Sequence, residues 1–251
     1  MSSSSDKLID AAASLYRSAG KFPFYFARGK FRHDTVFLAV IKSGLIKSGN
    51  SVLDLGCGQG LLLAFLRAAA SQYQRGSWRN DWSPAALGLN LHGIELRESK
   101  VAIAHKALGS IATIEVLDLR RGDIPRADVI VLFDVLHYLD AGTQLNLIKR
   151  IAQAISSDGL LLVRDADAAA GVSYRVTHVA ERIAAICRGH ILQRFHFRSR
   201  VEWNRLFVDQ GFAIEAMPMS EGTPFANVLW RRGGSADDRR GWIPLPTGMR
   251  E

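Results

Sequence analysis

The chain is poor in cysteine. Cys57 and Cys187 are its only two, and neither stands in a CxxC or other metal-ligand spacing. A disulfide scaffold and a thiolate zinc module are therefore excluded, no metal is expected, and both thiols read as reduced, as in a cytoplasmic protein. Long apolar runs are missing too. Those at 129–133 and 159–163 suit buried strands, and no run approaches the roughly 20 residues that cross a bilayer. The start, Met1-Ser2-Ser3-Ser4-Ser5-Asp6, has no basic segment followed by an apolar one, so it does not read as a signal peptide. Internal repeats are absent.

Apolar and basic residues are plentiful. Hydrophobic types make up 48% of the 251 residues, enough for a sizeable core in one α/β domain with a small cap. The net charge is +8 and the pI about 9.8. Such a charge suits solubility alone, or an anionic partner: nucleic acid, anionic lipid, an acidic protein or an acidic small molecule.

Apolar spacing at Leu8, Ile9, Ala12, Leu15 and Tyr16 predicts a helix over 7–18, after a polar tail at 1–5. The aromatic-rich stretch 20–26 reads as a loop, and 33–43 as a second helix. Strands and helices then alternate, with strands at 51–55, 91–96, 111–117, 127–133 and 159–164, and helices at 60–70, 98–108 and 143–156. Repeated units of this kind build a parallel sheet covered on both faces. A helix over 201–210, stopped by Gly211, precedes strands at 212–217 and 226–230 joined by a turn at 220–224. The division that follows is a helical cap at 1–50, a sheet domain at 51–231 and a flexible tail at 232–251. Residues 71–90, with Trp78, Trp82 and Pro84, read as a surface excursion without chemistry. Residues 168–200 are too long for a plain turn and read as a functional lid.

The first strand runs into Val52-Leu53-Asp54-Leu55-Gly56-Cys57-Gly58-Gln59-Gly60. Glycines after a strand let the backbone approach a ligand and point helix N–H groups at it. The spacing is G-x-G-x-G, not the dinucleotide G-x-G-x-x-G. Asp54 would repel a phosphate, yet it can accept hydrogen bonds from an ammonium group. This nonapeptide resembles motif I of the class I S-adenosylmethionine-dependent methyltransferases. The resemblance implies a Rossmann-like sheet with an antiparallel last strand and S-adenosylmethionine as cofactor. It places the methionine and ribose parts of that cofactor on Asp54, Gly56, Cys57, Gly58 and Gly60. It also implies that Glu95, beside Leu96, accepts both ribose hydroxyls. Asp118, beside Leu119, would meet the adenine amino group; Asp123 is a competitor that reads as a turn cap. Phe133-Asp134-Val135-Leu136-His137-Tyr138-Leu139 would run under the cofactor and face the substrate, at the sheet edge where ligands of open α/β folds bind.

His137 reads either as a general base or as a structural histidine beside the cofactor. Asp165 is the second candidate base, and His178 or His196 the third. A carboxylate acceptor needs none. The substrate cap is expected from the N-terminal helices with Tyr25 and Phe26, and from 168–200 with His178 and Arg182. That segment holds Arg175, Arg182, Arg188, Arg194, Arg198, Arg200 and His190, with Glu181 as its only acid among the lid residues past Asp167. It reads as a solvated face, or as a lid for an anionic substrate or an acidic acyl carrier protein. No nucleic-acid-binding motif is visible. No Asn-Pro-Pro-Tyr or Asp-Pro-Pro-Tyr follows strand four, which argues against methylation of DNA adenine.

A narrower resemblance, through Gly29-Lys30-Phe31-Arg32-His33-Asp34, residues 134–140 and residues 217–230, is to methyltransferases of aryl polyene and xanthomonadin-type pigment pathways. It implies O-methylation of a phenolic or carboxyl group on a small or carrier-bound intermediate. A methyltransferase of nucleic acid or protein, and a non-catalytic cofactor-binding module, are the alternatives. Oligomeric state is left open.

Overall fold

The computed structural model describes residues 4–187, 189, 191–219 and 223–232. Five strands run parallel: β1 (Ser51–Leu55), β2 (Asn90–Glu95), β3 (Thr113–Val116), β4 (Ala127–Phe133) and β5 (Ile155–Ala166). β6 (Ile214–Pro218) and β7 (Asn227–Arg232) complete the sheet in the order β3-β2-β1-β4-β5-β7-β6, with β7 antiparallel to β5 and to β6. The order reverses between β1 and β4, which opens a crevice at their carboxyl ends.

Apolar residues alternate between the two faces of β1. Val52 joins a core with α1 (Ser4–Ser14), α2 (Lys21–His33), α3 (Val36–Ser43), α4 (Leu61–Gln74) and α5 (Glu98–Leu108). Leu53 and Leu55 join the opposite core with α6 (Ala141–Ala154) and with α8 (Arg200–Asp209), which packs through Trp203 and Phe207; α7 (Val172–Cys187) follows β5. Among the described residues, no helix is long and apolar enough to cross a membrane.

Apart from end points that shift by a few residues, the elements differ from expectation in four places. α1 starts at Ser4, inside the expected polar tail, and gives way to a 3-10 turn at Leu15–Ala19. Residues 21–26, expected as a loop, open α2. Pro23 sits in its first turn, where a missing N–H costs no helical bond. The expected second helix is shortened, because Asp34 is extended (φ −105°, ψ 105°) and α3 begins at Val36. Residues 71–90 are a surface excursion only in part: 74–77 and 79–81 are exposed, but the segment is anchored to the core. α4 runs to Gln74, Trp82 is buried in the core with Ala85, and the Trp78 indole N–H donates to the Ser83 carbonyl at 3.0 Å. Burying the Trp82 ring removes a large apolar surface from water and pins the middle of the segment to the core. The turn at 220–222 and the expected tail beyond 232 lie outside the described residues.

Candidate active site

The loop after β1 turns on three left-handed glycines: Gly56 (φ 78°), Gly58 (φ 59°) and Gly60 (φ 75°). A Cβ on Gly56 would collide with Val135, while at Gly58 nothing lies within 4 Å, so the backbone there is open to a ligand. Glu95, buried at the end of β2, reaches across and accepts from the Gly58 N–H at 3.0 Å through Oε2. Its Oε1 accepts from Arg97, from the backbone N–H at 2.9 Å and from Nε at 3.1 Å. The carboxylate keeps lone pairs to spare, and Arg97 is exposed enough to swing away from a hydroxyl pair.

Asp54 is buried beside this pair. Burial, and then the nearby Glu95 charge, push its pKa up to about 7. Burial and the same carboxylates push the Cys57 thiol far up. Its Sγ occupies the space that Gly93 leaves open, so Cys57 packs the loop and is no nucleophile. Asp118 is gripped by Arg120, with Nε at 2.9 Å from both carboxylate oxygens. That hydrogen bond holds its carboxyl below the usual range. Glu95 and Asp118 thus each carry an arginine two residues on. Leu119 is buried, Leu96 exposed.

At the end of β4, Asp134 is the one described non-glycine residue with positive φ (57°). Its N–H donates to the Arg164 carbonyl at 2.9 Å, and its carboxylate accepts from the Arg164 guanidinium. The same guanidinium, almost fully buried, donates to Asp34 at 2.5 and 2.9 Å and lies 5.4 Å from the Phe133 ring centroid. Burial works against the charge on both partners, yet Arg164 is raised and Asp34 is held well below the carboxylate range by Arg164 and Lys30.

Beyond Asp134 the 3-10 turn Leu136–Tyr138 carries His137, buried against Asp165 at the end of β5. Asp165 Oδ1 lies 2.8 Å from His137 Nδ1, and Oδ2 accepts the His137 backbone N–H at 3.0 Å. The carboxylate places the ring proton on Nδ1 and leaves the lone pair on Nε2. Nε2 is buried with no hydrogen-bond partner. Burial would lower the imidazole pKa; Asp165, helped by Glu181 and Asp134, outweighs it and raises the value. The ring stacks on Phe197 at 4.6 Å and leans on Tyr138 at 4.3 Å. Phe195, Tyr174 and His178 extend the cluster. The Tyr138 hydroxyl donates to Glu181 Oε2 at 2.7 Å, so α7 closes over His137.

The structure therefore brings His137, Asp165 and His178 together. Three other candidates do not join this cluster. Arg182 turns away and donates to the Gln193 carbonyl at 2.9 Å. Tyr25 and Phe26 lie exposed on α2, where Phe26 stacks on Phe22 at 6.2 Å. His196 meets the site through its backbone N–H, which donates to the His137 carbonyl at 2.7 Å. Arg188 and His190 lie outside the described residues. Sequence reading missed Phe195 and Phe197, although their period of two places both on one face of an extended segment. It also missed Gln59, whose buried side-chain amide has no partner, and Tyr16, whose hydroxyl donates to the Gln59 carbonyl at 2.9 Å.

A mostly parallel sheet with a glycine loop at its switch point defines a Rossmann-like cofactor-binding domain. The sequence matches the methyltransferase domain family over residues 25–217. The chain belongs to that family and is an S-adenosylmethionine-dependent methyltransferase. Its fold is similar to a putative methyltransferase solved with the Haloferax volcanii Trm112 activator (TM-score 0.58, 16% identity, 88% of this chain and 96% of that one). It is similar to an O-methyltransferase family protein of Burkholderia thailandensis (0.57, 17%, 87% and 62%), of which it spans less than two thirds. It is also similar to magnesium protoporphyrin IX methyltransferase of Synechocystis PCC 6803 with bound S-adenosylhomocysteine (0.54, 19%, 84% and 86%). A search of curated proteins by sequence found no match.

Proposed function

We propose that the protein methylates a hydroxyl oxygen, most simply a phenol, on a small or carrier-bound aromatic molecule, with His137 as general base and Asp165 as its orienting partner. The observation that carries this reading is the buried His137–Asp165 pair, whose unpartnered Nε2 sits inside a cluster of aromatic rings. A carboxylate acceptor would need no such base, so the pair favours a hydroxyl. A pigment intermediate of aryl polyene type would be one such acceptor. The bound cofactor supplies a methyl group activated by its sulfonium. Asp54 would receive its ammonium group, Glu95 its ribose hydroxyls and Asp118 its adenine, with the arginine partners of the last two displaced.

The cofactor would supply its methyl group to the acceptor oxygen, and His137 Nε2 would take the proton that oxygen loses. Asp165 stabilises the imidazolium that results. Helices of residues 1–50 and the 168–200 segment would cap the acceptor, which enters as the rings of Tyr174, Phe195 and Phe197 part.

Turnover with a panel of phenols tests the reading. His137→Ala should lower kcat by about 10²- to 10⁴-fold with S-adenosylmethionine affinity unchanged. Because the reactive imidazole is neutral and its pKa is raised, the rate should climb with pH through that value. Asp165→Asn should move the acid limb to lower pH as well as slow the reaction. Equal loss of binding and turnover in His137→Ala would mean a structural histidine and end the proposal.

A further inference from the structure

α7 has two faces. Tyr174, Thr177, His178 and Glu181 point inward to the site and to β7. The outer face carries Val172, Val176, Val179, Ile183 and Ile186, which are 75%, 37%, 55%, 57% and 51% exposed. Their spacing alternates four and three residues, so they form one straight stripe, about 20 Å long at the helical rise. Past the helix the stripe is followed by Ile191 (63% exposed) and Leu192 (93% exposed). Single exposed aliphatics are ordinary; a continuous row of this length is not.

The charge beside the row is of one sign. Arg175 and Arg182 are exposed along one flank, and Arg182 is tied to the Gln193 carbonyl next to Leu192. Glu181, the acid of α7, is turned inward to Tyr138. Among the described residues of α7 no acid lies on the outer face.

We propose that the outer face of α7 docks the protein on an anionic phospholipid surface, its valines and isoleucines at the acyl boundary and its arginines at the phosphates. A second copy fits less well. Antiparallel pairing sets the arginine flank against itself, and parallel pairing sets it against Ser173 and Ala180, with no acid to meet in either case. An acidic protein would satisfy the arginines. However, the row offers no aromatic anchor and no polar side chain along its centre, as a protein partner would use and a fluid lipid boundary does not need. The proposal is independent of which acceptor is methylated. It would bring the inner face of α7, and with it His137, next to the source of a lipid-soluble substrate.

Sedimentation of the full chain with vesicles tests it. Phosphatidylcholine vesicles containing phosphatidylglycerol should carry the protein down, and added salt should weaken this; phosphatidylcholine alone should carry down much less. Val179→Asp with Ile183→Asp should abolish binding with little change in melting temperature or S-adenosylmethionine affinity, because both side chains are more than half exposed. Arg175→Ala with Arg182→Ala should weaken binding to the anionic vesicles by about tenfold or more. No sedimentation with anionic vesicles overturns the proposal. So does salt-sensitive binding that survives the two aspartates, which would be charge attraction without docking. A dimer in light scattering that the aspartates dissolve, without vesicle binding, would assign the face to a second copy.

Discussion

Asp54 shows how one buried carboxyl can couple the cofactor site to pH. Burial and Glu95 hold it near pKa 7, where an unfolded aspartate titrates near 4. Its folded value is the higher one, so the folded chain binds the extra proton. The associated stability is full below pH about 4 and is lost as pH rises toward 7. An ammonium group placed beside Asp54 would favour the ionised form. Binding of S-adenosylmethionine below pH 7 should then release a proton. Affinity should rise with pH by up to about tenfold per unit, and level off above 7. Calorimetry in buffers of different ionisation heat reads the proton directly, and Asp54→Asn should flatten the slope. An affinity independent of pH between 5 and 7 would remove the ammonium from Asp54.

Elements separate what the sequence makes plain from what it hides. β1, β4 and the glycine loop were readable because buried parallel strands are short, continuous apolar runs and the loop needs glycine at left-handed positions. α2 was hidden because Phe22, Phe24, Tyr25 and Phe26 with Pro23 read as a loop, and only the position of Pro23 in the first turn makes the helix possible. The aromatic cluster was hidden for another reason. His137 and Phe197 meet only because α7 and the 195–197 segment fold back over the end of β4, which no local pattern reports. The 71–90 segment failed on polarity. Its polar residues surround Trp82, which packs against Trp78 at 5.2 Å between ring centroids with Lys42 over the ring. Trp82→Ala should cost about 3 kcal/mol or more in urea unfolding with an unchanged m-value. A change below about 0.5 kcal/mol would return the segment to the surface.

Across the whole molecule, two contacts tie the N-terminal helices to the cofactor edge of the sheet. Tyr16 donates its hydroxyl to the glycine loop. Arg164 joins Asp34, between α2 and α3, to Asp134 at the end of β4. The second tie was not legible, since its members stand 30 and 130 residues apart in the chain and no local pattern joins them. A guanidinium with this burial persists only while both carboxylates face it. The Asp134 backbone, with its positive φ, persists only while neighbours hold it. Removing the guanidinium leaves two partly buried carboxylates facing each other, so Arg164→Met should cost about 3–5 kcal/mol. Its effect should reach both ends of the network, with faster amide exchange in α2 and weaker S-adenosylmethionine binding. Asp34→Asn should loosen α2 while disturbing Asp134 less. If the three groups act as one unit, the double variant should cost less than the sum of the two single changes, by about 0.5–3 kcal/mol. Strict additivity would mean that Arg164 serves Asp34 and Asp134 separately, and that the N-terminal helices can leave the sheet without altering the cofactor edge.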